Sequence, residues 1–375
     1  MHYHFRHQTP DTRHQHWQTY VLSLSNNLIR RVFSRNLFIP SKLFLNELSK
    51  LSLKSPKTAL LVSALLLLSS SWNVQANGKK VRAGNRSDAI IIPSPVINYV
   101  RPNLNFGDDE YAGQASLWNP DKGFLVQSID FESIHPELYN LNFPTTGMHN
   151  LYFDLLITGV NINKLTWEPV TLGGITATVT NVVANDRWIP DEDKGQVVAR
   201  VKLTGPEARN QWYNPHPNPI AKPRLPQTFE LVGRDISTAD EVVKYGFVLK
   251  QWFVNRGDQL KTYSDQLAWC NSLGYRMPRI RDLTNSKCGV DNNYFPCINN
   301  IDGATPSSGT LFYQRHIRAG FFTEWGRMDD YAGAGFVFYG YWTGDAAGST
   351  RFAVDSDDAR VRPASHTNYA VCIAP

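Results

Sequence analysis

Four cysteines, Cys270, Cys288, Cys297 and Cys372, are the side chains of this 375-residue sequence with the most chemistry open to them. A thiolate can attack an electrophile, hold a metal or pair with a second thiol, and spacing decides among these. No Cys-x-x-Cys occurs and no His pair lies close by, so zinc is disfavoured and disulfides are expected, with three connectivities open. Other reactive patterns are missing. His135, His149, His216, His316 and His366 are scattered, and the sequence holds no His-Glu-x-x-His, no Gly-x-Ser-x-Gly and no phosphate loop. Gly333-Ala334-Gly335 is a glycine turn without the rest of a nucleotide motif. A non-enzyme is the expectation.

Recognition chemistry is better represented. From Glu324 to Ser356, aromatic and charged residues stand among Gly-rich turns, the composition of loops that bind from a rigid support. Trp325, Asp329, Asp330, Tyr331, Asp345, Arg351 and Asp355 are the candidate ligand-binding residues. The plain alternative is that each charge solvates a loop. Calcium takes about six to eight oxygen ligands, and Asp329 and Asp330 with Asp355, Asp357 and Asp358 are the carboxylates able to supply several. No cofactor is expected, and calcium is carried as the alternative.

The elements that must position these residues fall into two grammars. Between about 95 and 234 the runs are short and alternating: Leu151–Val160, Ile175–Thr180, Gln196–Leu203 and Thr228–Val232 predict strands with one buried face. Gly173-Gly174, Asn185-Asp186, Asp191–Asp193 and Gly205-Pro206 are spaced as turns of an antiparallel sandwich. Prolines at 215, 217, 219, 223 and 226 then forbid helix or central strand, giving a linker or a loop wrapped on the sandwich. From 235 to 375 the text differs. Tyr263, Leu267, Cys270 and Leu273 form a helical stripe that Gly274 ends, and Ile280–Leu283 opens a second short helix. Between Ser307 and Phe352 stand 12 Phe, Trp and Tyr, expected to be the core of small strands. Trp269, Trp325 and Trp342 are expected to pack inside rather than offer sugar platforms, so Trp325 stands in two sets.

The amino-terminal quarter has a separate logic. Residues 1–58 carry 9 Lys/Arg against 2 Asp/Glu, and 59–76 carry none, which leaves 77–375 with a net charge of −2 although the whole chain is +5. No basic excess remains for phosphates, and nucleic acid is excluded as a partner on charge. Lys54 and Lys57, the apolar run Ala59–Leu68, three serines and Val74-Gln75-Ala76 are in the order of a secretory signal peptide cut after Ala76. The apolar run is shorter than the ~20 residues that cross a membrane, so no transmembrane span is expected in the mature chain. Residues 1–58 read as a basic leader too long for such a peptide, and translation is expected to begin near Leu43–Leu53. Residues 77–94 read as a flexible lead-in.

One set of segments is recognisable. Tyr245-Gly246-Phe247 with Trp252-Phe253, Ala268-Trp269-Cys270-Asn271-Ser272-Leu273-Gly274-Tyr275-Arg276-Met277-Pro278, Gly320-Phe321-Phe322-Thr323-Glu324-Trp325-Gly326, Tyr341-Trp342-Thr343 and Tyr369-Ala370-Val371-Cys372 resemble a C-type-lectin-like domain. In particular they resemble the InvasinE-type adhesion domain at the tip of intimin- and invasin-like bacterial surface proteins. The resemblance implies an immunoglobulin-like β-sandwich (95–234) followed by a C-type-lectin-like α+β domain (235–375). It implies a secreted or surface-exposed adhesin that binds a host or partner-cell receptor, protein or glycan, through loops of the lectin-like part. A calcium-dependent carbohydrate-binding lectin and a lectin-fold enzyme are the alternatives. The tripeptides Glu-Pro-Asn, Gln-Pro-Asp and Trp-Asn-Asp of sugar-binding relatives are absent. Cys270 with Cys372 and Cys288 with Cys297 is the favoured pairing, the first closing a loop of about 100 residues worth on the order of 4.7 kcal/mol. The group's outer-membrane barrel and repeats do not fit between Ala76 and Pro95, so a freestanding secreted adhesion module or a remnant of a longer gene is expected.

Overall fold

The computed structural model describes residues 94–130, 133–287 and 302–375. The leader, the signal-peptide run with Ala76, the lead-in to residue 93 and the Cys288–Cys297 pair lie outside the described residues.

The alternating runs form strands because period two puts every second side chain on one face. The main sheet has seven strands: β1 (Val96–Arg101), β2 (Trp118–Asn119), β3 (Gly123–Leu125), β7 (Tyr152–Thr158), β9 (Val170–Leu172), β10 (Ile175–Val183) and β11 (Val197–Thr204). They lie in the order β2-β3-β1-β7-β11-β10-β9, all antiparallel. Two-residue strands β4 (Ile129–Asp130) and β5 (Ser133–Ile134) make a small ribbon, and β6 (Thr146–Met148) belongs elsewhere. In β10 Ile175, Ala177 and Val179 are buried while the intervening threonines are half-buried, as the alternation requires. A second sheet, β8 (Leu165–Trp167), β12 (Gln227–Asp235) and β13 (Glu241–Leu249), covers the apolar face. Phe153 of β7 meets Tyr245 and Phe247 of β13 edge-on, each at 6.1 Å, and Phe229 stacks on Phe247 at 5.1 Å. This is the expected sandwich, and the chain is mostly β.

The change of grammar at 235 does not coincide with a break in the chain's packing. Asp235 is the last residue of β12, whose hairpin partner β13 pairs with it from Arg234↔Glu241 to Gln227↔Leu249. The following strand β14 (Gln251–Asn255) pairs in parallel with β6 and antiparallel with β18 (Val371–Ile373), so one small sheet joins three distant parts of the sequence. The proline segment is a wrapped loop: Arg224 N donates to Gly173 O at 2.8 Å, and Tyr275 Oη donates to Ala221 O at 2.7 Å.

Beyond β14 the predicted helices are present as α1 (Tyr263–Ser272) and α2 (Ile280–Leu283). The Thr262 side chain caps α1 by accepting from Asp265 N, and Gly274 leaves it at φ +80°. A five-residue helix, α3 (Phe321–Trp325), lies between Gly320 and Gly326, both at positive φ. The last sheet is β15 (Gly340–Ala347), β16 (Thr350–Asp355) and β17 (Val361–Ala364). The expectation that the dense aromatics form small strands needs correction. Phe321, Phe322 and Trp325 are buried on α3, and Tyr313, Tyr331 and Phe336 are buried from irregular segments; Tyr341, Trp342 and Phe352 alone of the buried ones lie in strands. Aromatic side chains are large enough to fill a core from loops when their polar atoms find partners.

Candidate functional site

Two buried charged side chains tie the carboxy-terminal loops to two earlier parts of the chain, the start of β6 and the stretch that follows β1. Glu324 on α3 is fully buried and its two carboxylate oxygens accept five hydrogen bonds. Thr145 N and Thr146 N donate to Oε2 at 3.0 Å each and the Thr146 hydroxyl at 2.6 Å; the Thr145 hydroxyl and Arg318 N donate to Oε1 at 2.5 and 2.6 Å. Burial pushes its carboxyl pKa up, against the pull of the threonine hydroxyls and main-chain N–H groups. Arg315, also fully buried, donates to the carbonyls of Asn103, Asn105 (3.0 Å), Phe106 (3.2 Å) and Glu324 (3.3 Å), and lies 4.7 Å over the Trp118 ring. A side chain at Gly326 would stand 1.9 Å from Arg315 Nη2, so only glycine fits there.

The covalent tie is Cys270–Cys372, joining α1 to β18 across a sequence separation of 102. Both sulfurs are buried.

On this support the loop Val337–Tyr339 carries the prominent exposed side chains. Phe338 is 52% and Tyr339 49% exposed, two adjacent aromatics in a region whose other aromatics are mostly interior. Their backbone is held from beneath. Buried Tyr341 accepts from Val337 N at 2.9 Å and donates to Val337 O at 3.3 Å. Buried Ser356 donates from Oγ to Val337 O (2.9 Å), accepts from Tyr339 N at Oγ (3.3 Å) and donates from its own N to Tyr339 O (3.0 Å). Tyr339 has φ +147°, a conformation costly for a side-chain-bearing residue and sustained here by those bonds. Arg327 lies 5.6 Å from the Phe338 ring centroid and Arg362 lies 4.2 Å from that of Tyr339. Each cation is neutralised in turn: Asp329 takes Arg327 at 2.9 and 3.0 Å, and Asp355 takes Arg362 at 2.7 Å. A fixed aromatic pair rimmed by paired charges is the composition of a protein-binding hot spot.

The residues expected from sequence divide three ways. Asp329 and Asp355 are at this site, as partners of its arginines. Trp325 and Tyr331 are corrections, because their groups are consumed in packing, whereas Asp330 borders the site, its Oδ2 standing 3.8 Å from Arg327 Nε. Trp325 is fully buried and its Nε1 donates to Thr146 O at 3.0 Å. Tyr331 is 2% exposed, its hydroxyl accepting from Asn103 N at 2.7 Å and donating to Trp325 O at 3.0 Å. Asp330 Oδ2 accepts from the side-chain amides of Asn103 (3.1 Å) and Asn105 (2.6 Å). Asp345 and Arg351 lie toward the other end of the sheet: Asp345 accepts from Ile280 N at 2.6 Å at the start of α2, and Arg351 stands 4.1 Å over the Tyr263 ring. Phe338, Tyr339, Arg327 and Arg362 were missed. The run Val337-Phe338-Tyr339-Gly340-Tyr341-Trp342 held the clue, since six such residues cannot all face inward, but it does not say which two are left outside.

Of the five carboxylates suggested for calcium, Asp329, Asp355 and Asp358 each face an arginine, and Asp330 faces two amides and, at 3.8 Å, Arg327. Asp357 is close enough to Asp358 and Asp329 for their charges to raise its carboxyl pKa, with burial the larger cause. No group of three or more metal-ligating side chains occurs among the described residues. No helix among them is long and apolar enough to cross a membrane.

No family model matches the chain, and no curated protein matches it. Among solved structures, it is similar to invasin, titled a bacterial integrin-binding protein, with 14% identity and a TM-score of 0.41. That similarity covers 75% of this chain and 39% of invasin, so the chain spans about two-fifths of the invasin structure. It is also similar to intimin-190 from enteropathogenic E. coli, with 13% identity and a TM-score of 0.27 over 62% of this chain and 90% of that one.

Proposed function

We propose that the chain is an exported adhesin-type binding module whose loop Val337–Tyr339 engages a protein on the surface of a host or partner cell. The observation that carries this reading is the Phe338–Tyr339 pair, half-exposed and fixed by buried Ser356 and Tyr341. An aromatic side chain carries about 150–250 Å² of surface, so each half-exposed ring offers about 100 Å² to a partner. At about 25 cal/mol per Å² that is roughly 2.5 kcal/mol per ring before the entropy of association. Because the main chain of Val337 and Tyr339 is already held, little loop-ordering entropy is lost on docking. The fold behind them is read as lectin-like: α1 and β18 are linked by Cys270–Cys372, and the long excursion between them returns as irregular loops. The surface chemistry favours protein recognition without a metal, and calcium or a chelator is expected to leave the melting temperature unchanged.

The test is saturable binding of the purified chain to cultured host-type cells, displaced by unlabelled chain. Phe338→Ser with Tyr339→Ser should weaken binding at least thirtyfold with the melting temperature within about 2 °C of the parent, since both rings are outside the core. Undiminished binding by that variant refutes the assignment of the loop.

A further inference from the structure

A second candidate site lies at the other end of the same sheet. The β15–β16 turn, the start of α1 and the end of β17 enclose a groove of about 720 Å³. Tyr263, Arg351 and His366 line it together with the hydroxyls of Thr262, Ser264 and Ser365. Arg351 stands 4.1 Å over the Tyr263 ring, and the edge of that ring meets Trp342 at 5.6 Å. Among the described residues no carboxylate pairs with Arg351, in contrast to Arg327, Arg360 and Arg362 on the neighbouring loops. No carboxylate lines the groove either. The acid on the adjoining turn, Asp265, is engaged by the Thr262 hydroxyl at 2.7 Å.

We infer that this groove is a binding site for a carboxylate-bearing saccharide, with Arg351 as the anion-binding residue. A guanidinium laid on an aromatic face keeps its N–H edge free and loses little freedom when a planar carboxylate takes it in two parallel hydrogen bonds. Tyr263 therefore acts as a positioning residue for Arg351. The Thr262 hydroxyl is taken by Asp265 and by Ser264 Oγ at 3.0 Å. The hydroxyls of Ser264 and Ser365 suit a polyol, because a hydroxyl both donates and accepts, as sugar hydroxyls do. A volume of this size holds one or two sugar rings. An acidic peptide would find the same guanidinium but few fixed donors for its carbonyls, and is the weaker fit. The site is independent of the aromatic loop: Arg351 and Asp355 are separated along β16 by roughly 13 Å at about 3.3 Å per residue.

Titration of the purified chain with the methyl glycoside of N-acetylneuraminic acid and with methyl glucuronoside, followed by ligand-observed NMR, tests this. Their methyl esters and an acidic peptide are the comparison probes. At least tenfold weaker binding is expected for the esters and for Arg351→Gln, and an intermediate loss for Arg351→Lys, which keeps charge without the fork. Phe338→Ser with Tyr339→Ser should bind the acids unchanged, so failure here and failure of the receptor loop are separable. Equal binding of acid and ester, tighter binding of the peptide, parent-like binding by Arg351→Gln, or no saccharide binding at all would each overturn the inference.

Discussion

Replacing Glu324 by Gln tests how the two parts of the molecule are joined. The substitution keeps shape and volume and exchanges one carboxylate oxygen for an NH₂. Each oxygen of Glu324 accepts from at least one main-chain N–H: Arg318 N on Oε1, and Thr145 N and Thr146 N on Oε2. Whichever way the amide turns, its NH₂ confronts a main-chain donor that cannot turn away. The threonine hydroxyls can rotate; the peptide N–H groups cannot. One buried donor left unsatisfied costs about 1–3 kcal/mol, and the remaining bonds lose the strengthening that an ionised acceptor gives. Relief of charge burial offsets part of this. The expected net loss is about 2–4 kcal/mol, or about 5–10 °C in melting temperature for a unit of this size. Differential scanning calorimetry of the two chains measures it. A variant melting within 1 °C of the parent, or above it, would show that desolvation cancels the bonds and refute the claim that Glu324 holds the junction.

Three further outcomes follow. Cys270→Ala with Cys372→Ala removes a cross-link spanning 102 residues and should lower unfolding free energy by about 4–5 kcal/mol in urea titration, without change in cell binding per folded molecule. A double variant as stable as the parent would mean that the link constrains nothing. His149 is held below the usual histidine range by burial, against the pull of Glu207 and the contact with Gly205 O. Its folded pKa is depressed, so its contribution is present above pH ~6.5 and is lost as pH falls through the folded value. Between pH 7.5 and 5.5 the parent should therefore lose more stability than His149→Gln, and a larger loss in the variant would reverse the assigned direction. Calcium at millimolar concentration should leave the melting curve unmoved, and an upward shift abolished by chelator would restore a metal site at the carboxylates.

Much of the architecture was legible because it rests on local rules. The threonine alternation in Ile175–Thr180 can bury only one face, and Gly274 can end α1 because it tolerates φ +80°. The continuity across residue 235 was not legible, since the pairing of β14 with β6 and β18 joins strands more than a hundred residues apart in sequence. The site was half legible. Asp329 and Asp355 were found by charge, and their arginine partners are close in sequence, Arg327 two positions before Asp329 and Arg362 seven after Asp355, but nothing local separates buried Tyr331 from exposed Tyr339. Tyr331 is enclosed by the rings of Tyr152, Trp188 and Trp325, and its hydroxyl accepts from the N–H of Asn103, 228 positions away.

Hydroxyl-radical footprinting of the chain free and bound to cells puts the contact loop to the most direct test. Phe338 and Tyr339 should become protected on binding while Tyr213, 71% exposed on the proline segment, stays reactive. Unchanged labelling of Phe338 and Tyr339 in the cell-bound chain, with protection elsewhere, would contradict the account.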